Sequence, residues 1–152
     1  MNNVNGLLNL GNTCYFNSAL QLLFNIKELN SYFINKNFLE ELNSNLKKIN
    51  FKNNDKIKNN ILFIQNFYSL TSDYNSNNNK TLTPKKLLST LQEINSDFQG
   101  FNQHDSQEVL ILIMDIIHEN LKYEIDINYQ GSPKNKTDLL VIESIKALSK
   151  IL

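Results

Sequence analysis

The single cysteine of this chain, Cys14, follows a short glycine-containing loop and stands at the predicted start of a helix. At a helix start, unpaired backbone N–H groups and the positive end of the helix dipole favour a thiolate over a thiol. The same N–H groups can hold a developing oxyanion, and the side-chain amide of Asn9, five residues earlier, can donate to it. These residue types allow nucleophilic catalysis, while the alternative is that Cys14 is a small buried side chain, as most lone cysteines are.

A cysteine nucleophile also needs a histidine within hydrogen-bond reach and a third residue that orients the imidazole. The chain has two histidines, His104 and His118. His104 lies in a polar stretch beside Asp105, and His118 lies near the polar edge of a helical pattern. We assign both a structural or surface role, so the sequence presents a nucleophile without its base.

Two stretches resemble sequence blocks of the ubiquitin-specific proteases, which are papain-like deubiquitinating cysteine peptidases. Residues 6–21, GLLNLGNTCYFNSALQ, resemble the cysteine box, and residues 98–110, FQGFNQHDSQEVL, resemble the Gln-His-Asp block. The resemblance implies that Cys14 attacks the carbonyl after the C-terminal glycine of ubiquitin, forming a thioester, and that Asn9 donates to the oxyanion. It also implies that the basic tail of ubiquitin is held by four side chains: Asp105, Gln103, Gln107 and Tyr15.

The same resemblance implies a mainly α-helical fold, the thumb subdomain of a papain-like α+β protease. The family supplies its histidine and a later Asp or Asn far downstream, so we expect residues 1–152 to be a truncated N-terminal portion, without the β-rich fingers and palm. Alone, such a chain would be inactive. An alternative is a ubiquitin-tail binding module that lacks the catalytic histidine, and a third is a helical scaffold with an incidental cysteine. No cofactor and no metal is implied, and the implied partners are ubiquitin or ubiquitinated proteins.

Composition excludes several other classes of function. Fifteen basic residues balance fifteen acidic ones, which argues against a nucleic-acid binder that relies on net charge. One cysteine excludes a disulfide framework or a multi-thiolate zinc site within this chain. The strongly apolar stretch Val109–Ile117 is too short to cross a bilayer, and no signal peptide is recognisable, so we expect a cytoplasmic or nuclear protein without membrane association. Residues 93–126 carry eight acids and one lysine, which is either a solvated helix face or a surface for a basic ligand.

The patterning predicts helices joined by polar loops at 75–82 and 128–137. The first helix begins near Thr13, and a fourth begins at Thr83-Pro84, with Thr83 as the cap and Pro84 at the first helical position. Asp105 and Glu108 resemble a capping box at the start of the fifth. The other predicted helices cover Phe38–Ile49, a segment from Asp55 through Tyr68, and Leu139–Leu152.

Overall fold

The computed structural model describes residues 5–36, 38–40, 42–43, 55–76, 80–122 and 132–148, and this part of the chain is mainly α-helical, as predicted. The chain divides into two compact units, Met1–Leu121 and Lys122–Leu152. None of the helices in the described ranges is long and apolar enough to cross a membrane. The first unit contains α1 (Cys14–Phe24), α2 (Lys27–Ile34), α3 (Asp55–Asn75), α4 (Lys85–Ile94), a short 3-10 turn (Ser96–Phe98) and α5 (Ser106–Leu121), and the second contains α6 (Lys136–Leu148).

The predicted starts of α1, α3 and α5 are confirmed, whereas α2 was not predicted. Its eight residues bury only one large side chain, Phe33, and a single buried position produces no periodic pattern. The prediction for α4 is wrong by one residue, because the helix begins at Lys85 with Pro84 in the cap position and no side-chain cap hydrogen bond. Of the predicted helix Phe38–Ile49, residues 38–40 and 42–43 are helical, and the rest lies outside the described residues.

Aromatic side chains from several helices meet in the core of the first unit. α1 packs against α5, and α3 packs against both α2 and α4. Phe67 of α3 meets Phe24 and Phe33 with ring-centroid separations of 5.8 and 5.0 Å. Each such side chain contributes about 1.5–3 kcal/mol when it leaves water, so this cluster fixes α1 in place. The position of α1 decides where Cys14 lies.

The loop before α1 is held to the body of the first unit by hydrogen bonds. The Leu8 N–H donates to the Leu82 carbonyl at 2.8 Å, which forms an isolated parallel bridge between the two segments. From the polar face of α1, Asn17 Nδ2 donates to the Leu8 carbonyl at 3.2 Å and Gln21 Nε2 donates to the Asn5 carbonyl at 2.8 Å. These two cysteine-box residues therefore orient the backbone that leads to Asn9.

The second unit shows why α6 begins where it does. The Asp138 N–H donates to Asn135 Oδ1 at 2.8 Å, and the Lys134 N–H donates to Asp138 Oδ2 at 2.9 Å. The first bond satisfies an N–H group that a helix start leaves unpaired, and the second ties Lys134 to the first turn of the helix. The helix consequently starts at Lys136, inside the loop predicted at 128–137, and residues 149–152 of the predicted segment lie outside the described residues.

Candidate functional site

Cys14 is the first residue of α1, and its thiol is free and exposed. The alternative of a small buried side chain therefore does not hold. The helix starts without a side-chain cap hydrogen bond, so no side chain competes for the N–H groups of its first turn. Unpaired N–H groups and the positive end of the helix dipole favour negative charge at such a position.

The nucleophile loop, residues 9–13, is braced by the side-chain oxygen of Asn9. Asn9 Oδ1 accepts from the Gly11 N–H at 3.1 Å, from the Thr13 N–H at 3.2 Å and from the Thr13 hydroxyl at 3.1 Å. Because backbone N–H groups only donate, these contacts establish which end of the amide is the oxygen. Nδ2 is then left as a donor, and no residue in the described ranges accepts from it.

This loop turns back on itself through two left-handed residues. Gly11 has φ of 101° and Asn12 has φ of 51°. Glycine adopts this conformation freely, and asparagine is among the few side-chain-bearing residues that tolerate it. Thr13 completes the turn, since its hydroxyl oxygen accepts from the Leu10 N–H at 2.9 Å. Hydrogen bonds among its own residues therefore hold the loop in this turn.

Asp105 ends the recognition loop, residues 99–105, and caps α5. Its Oδ1 accepts from the Gln107 N–H at 2.7 Å, whereas a capping box would engage the N–H of Glu108. Among the described residues, none donates to its second oxygen, Oδ2. Asp105 is exposed, and so are Gln103 and Gln107. One carboxylate oxygen thus caps the helix while the other faces solvent, so the cap and a ligand-binding role are compatible.

Tyr15, which follows Cys14, lies behind the recognition loop rather than on its surface. The side chain is 6% exposed, and its ring packs on those of Phe98 and His104 with centroid separations of 6.1 and 5.1 Å. Burial, and secondarily the negative charge available at Cys14, raises the pKa of the Tyr15 hydroxyl. The Tyr15 ring thus connects the start of α1 to His104, the residue before Asp105.

Neither histidine pairs with Cys14, in agreement with the roles assigned from sequence. The His104 ring lies 5.0 Å from that of Phe98, and its Nε2 is buried without a hydrogen-bond partner in the described part of the chain. His118 is exposed on α5. Within the described ranges, no three His, Cys, Asp or Glu side chains come together as metal ligands would.

Two contacts that the sequence did not predict join the two loops. Asn12 Nδ2 donates to the Phe101 carbonyl at 2.8 Å. The Phe101 ring covers Gly11 so closely that a Cβ added there would lie 3.4 Å from Phe101 Cδ1. Asparagine is common in turns of many kinds, so the sequence around Asn12 did not indicate a hydrogen bond to a residue 89 positions away.

Comparison with known proteins places these features in a family. Residues 5–149 match the family model described as ubiquitin carboxyl-terminal hydrolase. The chain is 34% identical over 134 residues to ubiquitin carboxyl-terminal hydrolase 12 of Saccharomyces cerevisiae, covering 84% of this chain and 10% of the relative. It is 36% identical over 116 residues to ubiquitin carboxyl-terminal hydrolase 32 of Homo sapiens, covering 76% of this chain and 7% of the relative.

A further human relative, ubiquitin carboxyl-terminal hydrolase 15, is 34% identical over 116 residues, covering 76% of this chain and 11% of the relative. The chain therefore spans about a tenth of the length of the curated relatives that it matches. The family match covers both the nucleophile loop and the recognition loop. The chain thus belongs to the ubiquitin carboxyl-terminal hydrolase family, a family of cysteine-type peptidases that act on ubiquitin conjugates.

Proposed function

We propose that this chain provides the nucleophile and the oxyanion donor of a deubiquitinase that cleaves after the C-terminal glycine of ubiquitin. The observation that carries the proposal is the pairing of an exposed cysteine at an uncapped helix start with the oriented amide of Asn9. In the first step the Cys14 thiolate adds to the glycine carbonyl. The amine then leaves with a proton, and a thioester forms on Cys14. Water hydrolyses the thioester and restores the thiol.

Asn9 stabilises the oxyanion in both tetrahedral intermediates. Its Oδ1 is occupied by three donors of the nucleophile loop, so Nδ2 is held in one orientation before the substrate arrives. A donor that is already oriented costs no reorganisation when the charge develops, and removing one such donor typically lowers the rate by about 10²–10³-fold.

Asp105, with Gln103 and Gln107, forms the surface for the basic tail of ubiquitin. The free Oδ2 of Asp105 supplies the charge, and the sequence from 93 to 126 is rich in acidic residues. Tyr15 is buried, so its part is to hold His104 and, through it, the end of the recognition loop.

The catalytic base is not one of the two histidines of this chain, because no hydrogen bond in the described residues joins either of them to Cys14. The 152-residue chain alone should therefore hydrolyse ubiquitin conjugates very slowly, since general base catalysis is worth about 10²–10⁴-fold. A catalytically incomplete module that binds the ubiquitin tail is the alternative. It is favoured by the same unpaired arrangement of Cys14.

The test joins the chain to the histidine-bearing half of a family catalytic domain and measures hydrolysis of a fluorogenic ubiquitin amide. We expect turnover by the joined protein, little by the chain alone, and none after Cys14→Ala. Turnover that survives Cys14→Ala would contradict the nucleophile assignment. If the joined protein binds ubiquitin but does not turn it over, the binding module is the correct description.

A further inference from the structure

The contact between the nucleophile loop and the recognition loop joins the two parts of the proposed site. One loop carries Asn9 and leads into Cys14, and the other carries Gln103 and ends at Asp105. The Asn12–Phe101 hydrogen bond crosses between them at 2.8 Å and lies at the exposed surface. The relative position of the nucleophile and the tail-binding groups therefore depends on this bond as well as on the core beneath it.

The conformation of both loops makes their positions sensitive to this bond. Gly11, Asn12 and Gly100 have φ of 101°, 51° and 84°, so each loop reverses direction next to the contact. Phe101 is 77% exposed and therefore adds little buried area that could fix its loop. An exposed loop with little buried apolar surface is held mainly by its hydrogen bonds, and the Asn12 amide donates one of them to the backbone carbonyl of residue 101.

We propose that Asn12 is a positioning residue for the reaction at Cys14. This role rests on the proposed function. The Asn12–Phe101 bond fixes the spacing between the tail-binding groups and the Cys14 thiolate. The bond sets how far the glycine carbonyl of a bound ubiquitin tail lies from Cys14. In this role Asn12 acts through Phe101 and not on the reacting atoms.

Asparagine meets both requirements of this position. It tolerates a left-handed backbone, and its amide donates to a carbonyl across the gap. Glycine would keep the backbone conformation and lose the donor. Aspartate would keep both the shape and the tolerance for positive φ, but it would place an acceptor against the Phe101 carbonyl. Asn12→Gly and Asn12→Asp therefore remove the bond with little demand on the fold.

The experiment measures two rates of Cys14 alkylation in the 152-residue chain at a pH of about 9.5, where free cysteine thiols are largely thiolate and no base is needed. One reagent is ubiquitin with a bromoethylamide in place of its last glycine, and the other is iodoacetamide. Alkylation forms the sulfur–carbon bond and releases bromide or iodide. The ratio of the two rates reports how well the tail presents its reactive carbon to the sulfur. A scrambled-tail peptide with the same bromoethylamide gives the ratio without recognition.

In the parent, we expect the ubiquitin reagent to react faster than the scrambled-tail reagent. Misplacement of the reacting group by about 1 Å can lower a reaction rate by about 10²-fold. In both Asn12 variants the ratio of the ubiquitin-reagent rate to the iodoacetamide rate should therefore fall by at least about 10-fold. The iodoacetamide rate and the melting temperature should change little. Asn30→Asp is the control, because it removes two amide bonds outside both loops, at 2.9 Å to the Phe24 carbonyl and at 3.0 Å to Asn75 Oδ1, and it should keep the parent ratio.

The possible failures separate the two proposals. If the parent shows no preference for the ubiquitin reagent, the proposed tail recognition by this chain is wrong. If the parent shows the preference and both Asn12 variants retain it, the positioning role of Asn12 is wrong while the proposed function stands. A ratio that falls equally in Asn30→Asp would mean that general loosening, rather than the bond to Phe101, causes the loss.

Discussion

The two roles of Asn9, the brace made by Oδ1 and the donor made by Nδ2, can be tested separately. Asn9→Asp keeps an oxygen where Oδ1 accepts from the Gly11 N–H, the Thr13 N–H and the Thr13 hydroxyl. The same change replaces the Nδ2 donor with a second oxygen. Asn9→Ala, by contrast, removes the brace and the donor together. The aspartate variant therefore isolates oxyanion stabilisation, and the alanine variant adds the loss of loop structure.

The expected magnitudes differ between the two variants. Loss of the donor should lower acyl transfer by about 10²–10³-fold in Asn9→Asp, with a small change in folding free energy. In Asn9→Ala three hydrogen bonds are lost. At about 0.5–1.5 kcal/mol each, and with partial replacement by water at this exposed loop, we expect about 1–3 kcal/mol of destabilisation in addition to the loss of rate.

The assay compares two reactions at Cys14. Hydrolysis of a fluorogenic ubiquitin amide, by the chain joined to the histidine-bearing half of a family catalytic domain, passes through a tetrahedral oxyanion. Alkylation by the ubiquitin bromoethylamide does not. Asn9→Asp should therefore lose hydrolysis. Its rate of alkylation by the ubiquitin bromoethylamide should fall by no larger a factor than its rate with iodoacetamide. Thermal denaturation of the same samples measures the change in stability.

Parent-like hydrolysis by a folded Asn9→Asp protein would refute the assignment of Nδ2 as the oxyanion donor. Equal losses of hydrolysis and of alkylation, measured relative to iodoacetamide, would also refute it, because substrate positioning would then be the step affected. If only Asn9→Ala loses activity, and in proportion to its loss of stability, Asn9 is a structural brace for the nucleophile loop.

Three further predictions follow from the same geometry. Gly11→Ala should lower the unfolding free energy by about 1–3 kcal/mol, because alanine is strained at φ of 101°; an unchanged melting temperature would contradict this. Asp105→Asn should cap α5 as well as aspartate does, yet slow labelling by the ubiquitin reagent at low salt. The loss of labelling should be smaller at high salt and larger in Asp105→Lys. Parent-like labelling of Asp105→Asn at low salt would mean that Asp105 is only a helix cap. Because the folded state raises the pKa of Tyr15, the unfolded state loses that proton first, and stability should fall as the pH rises above about 10. Urea denaturation at pH values of about 9 and 11 should show a smaller loss in Tyr15→Phe than in the parent, and equal losses would contradict the raised pKa.

Much of the site could be predicted from local sequence. The start of α1 at Cys14 and the cap of α5 at Asp105 depend on groups within a few residues of each other, so their signals are carried by short motifs. The mainly helical fold followed from the spacing of apolar residues in the same way. The start of α4 was misplaced by one residue, since Thr83 could have served as its cap but the structure provides no such bond.

Only the tertiary structure decided how these local pieces meet. The burial of Tyr15, its contact with His104 and the Asn12–Phe101 bond all require α1 to pack against α5. The use of Asn9 Oδ1 as a brace likewise depends on the left-handed turn that the loop adopts. Contacts between residues about 90 positions apart have no local signature, because their geometry is determined by the packing of whole helices.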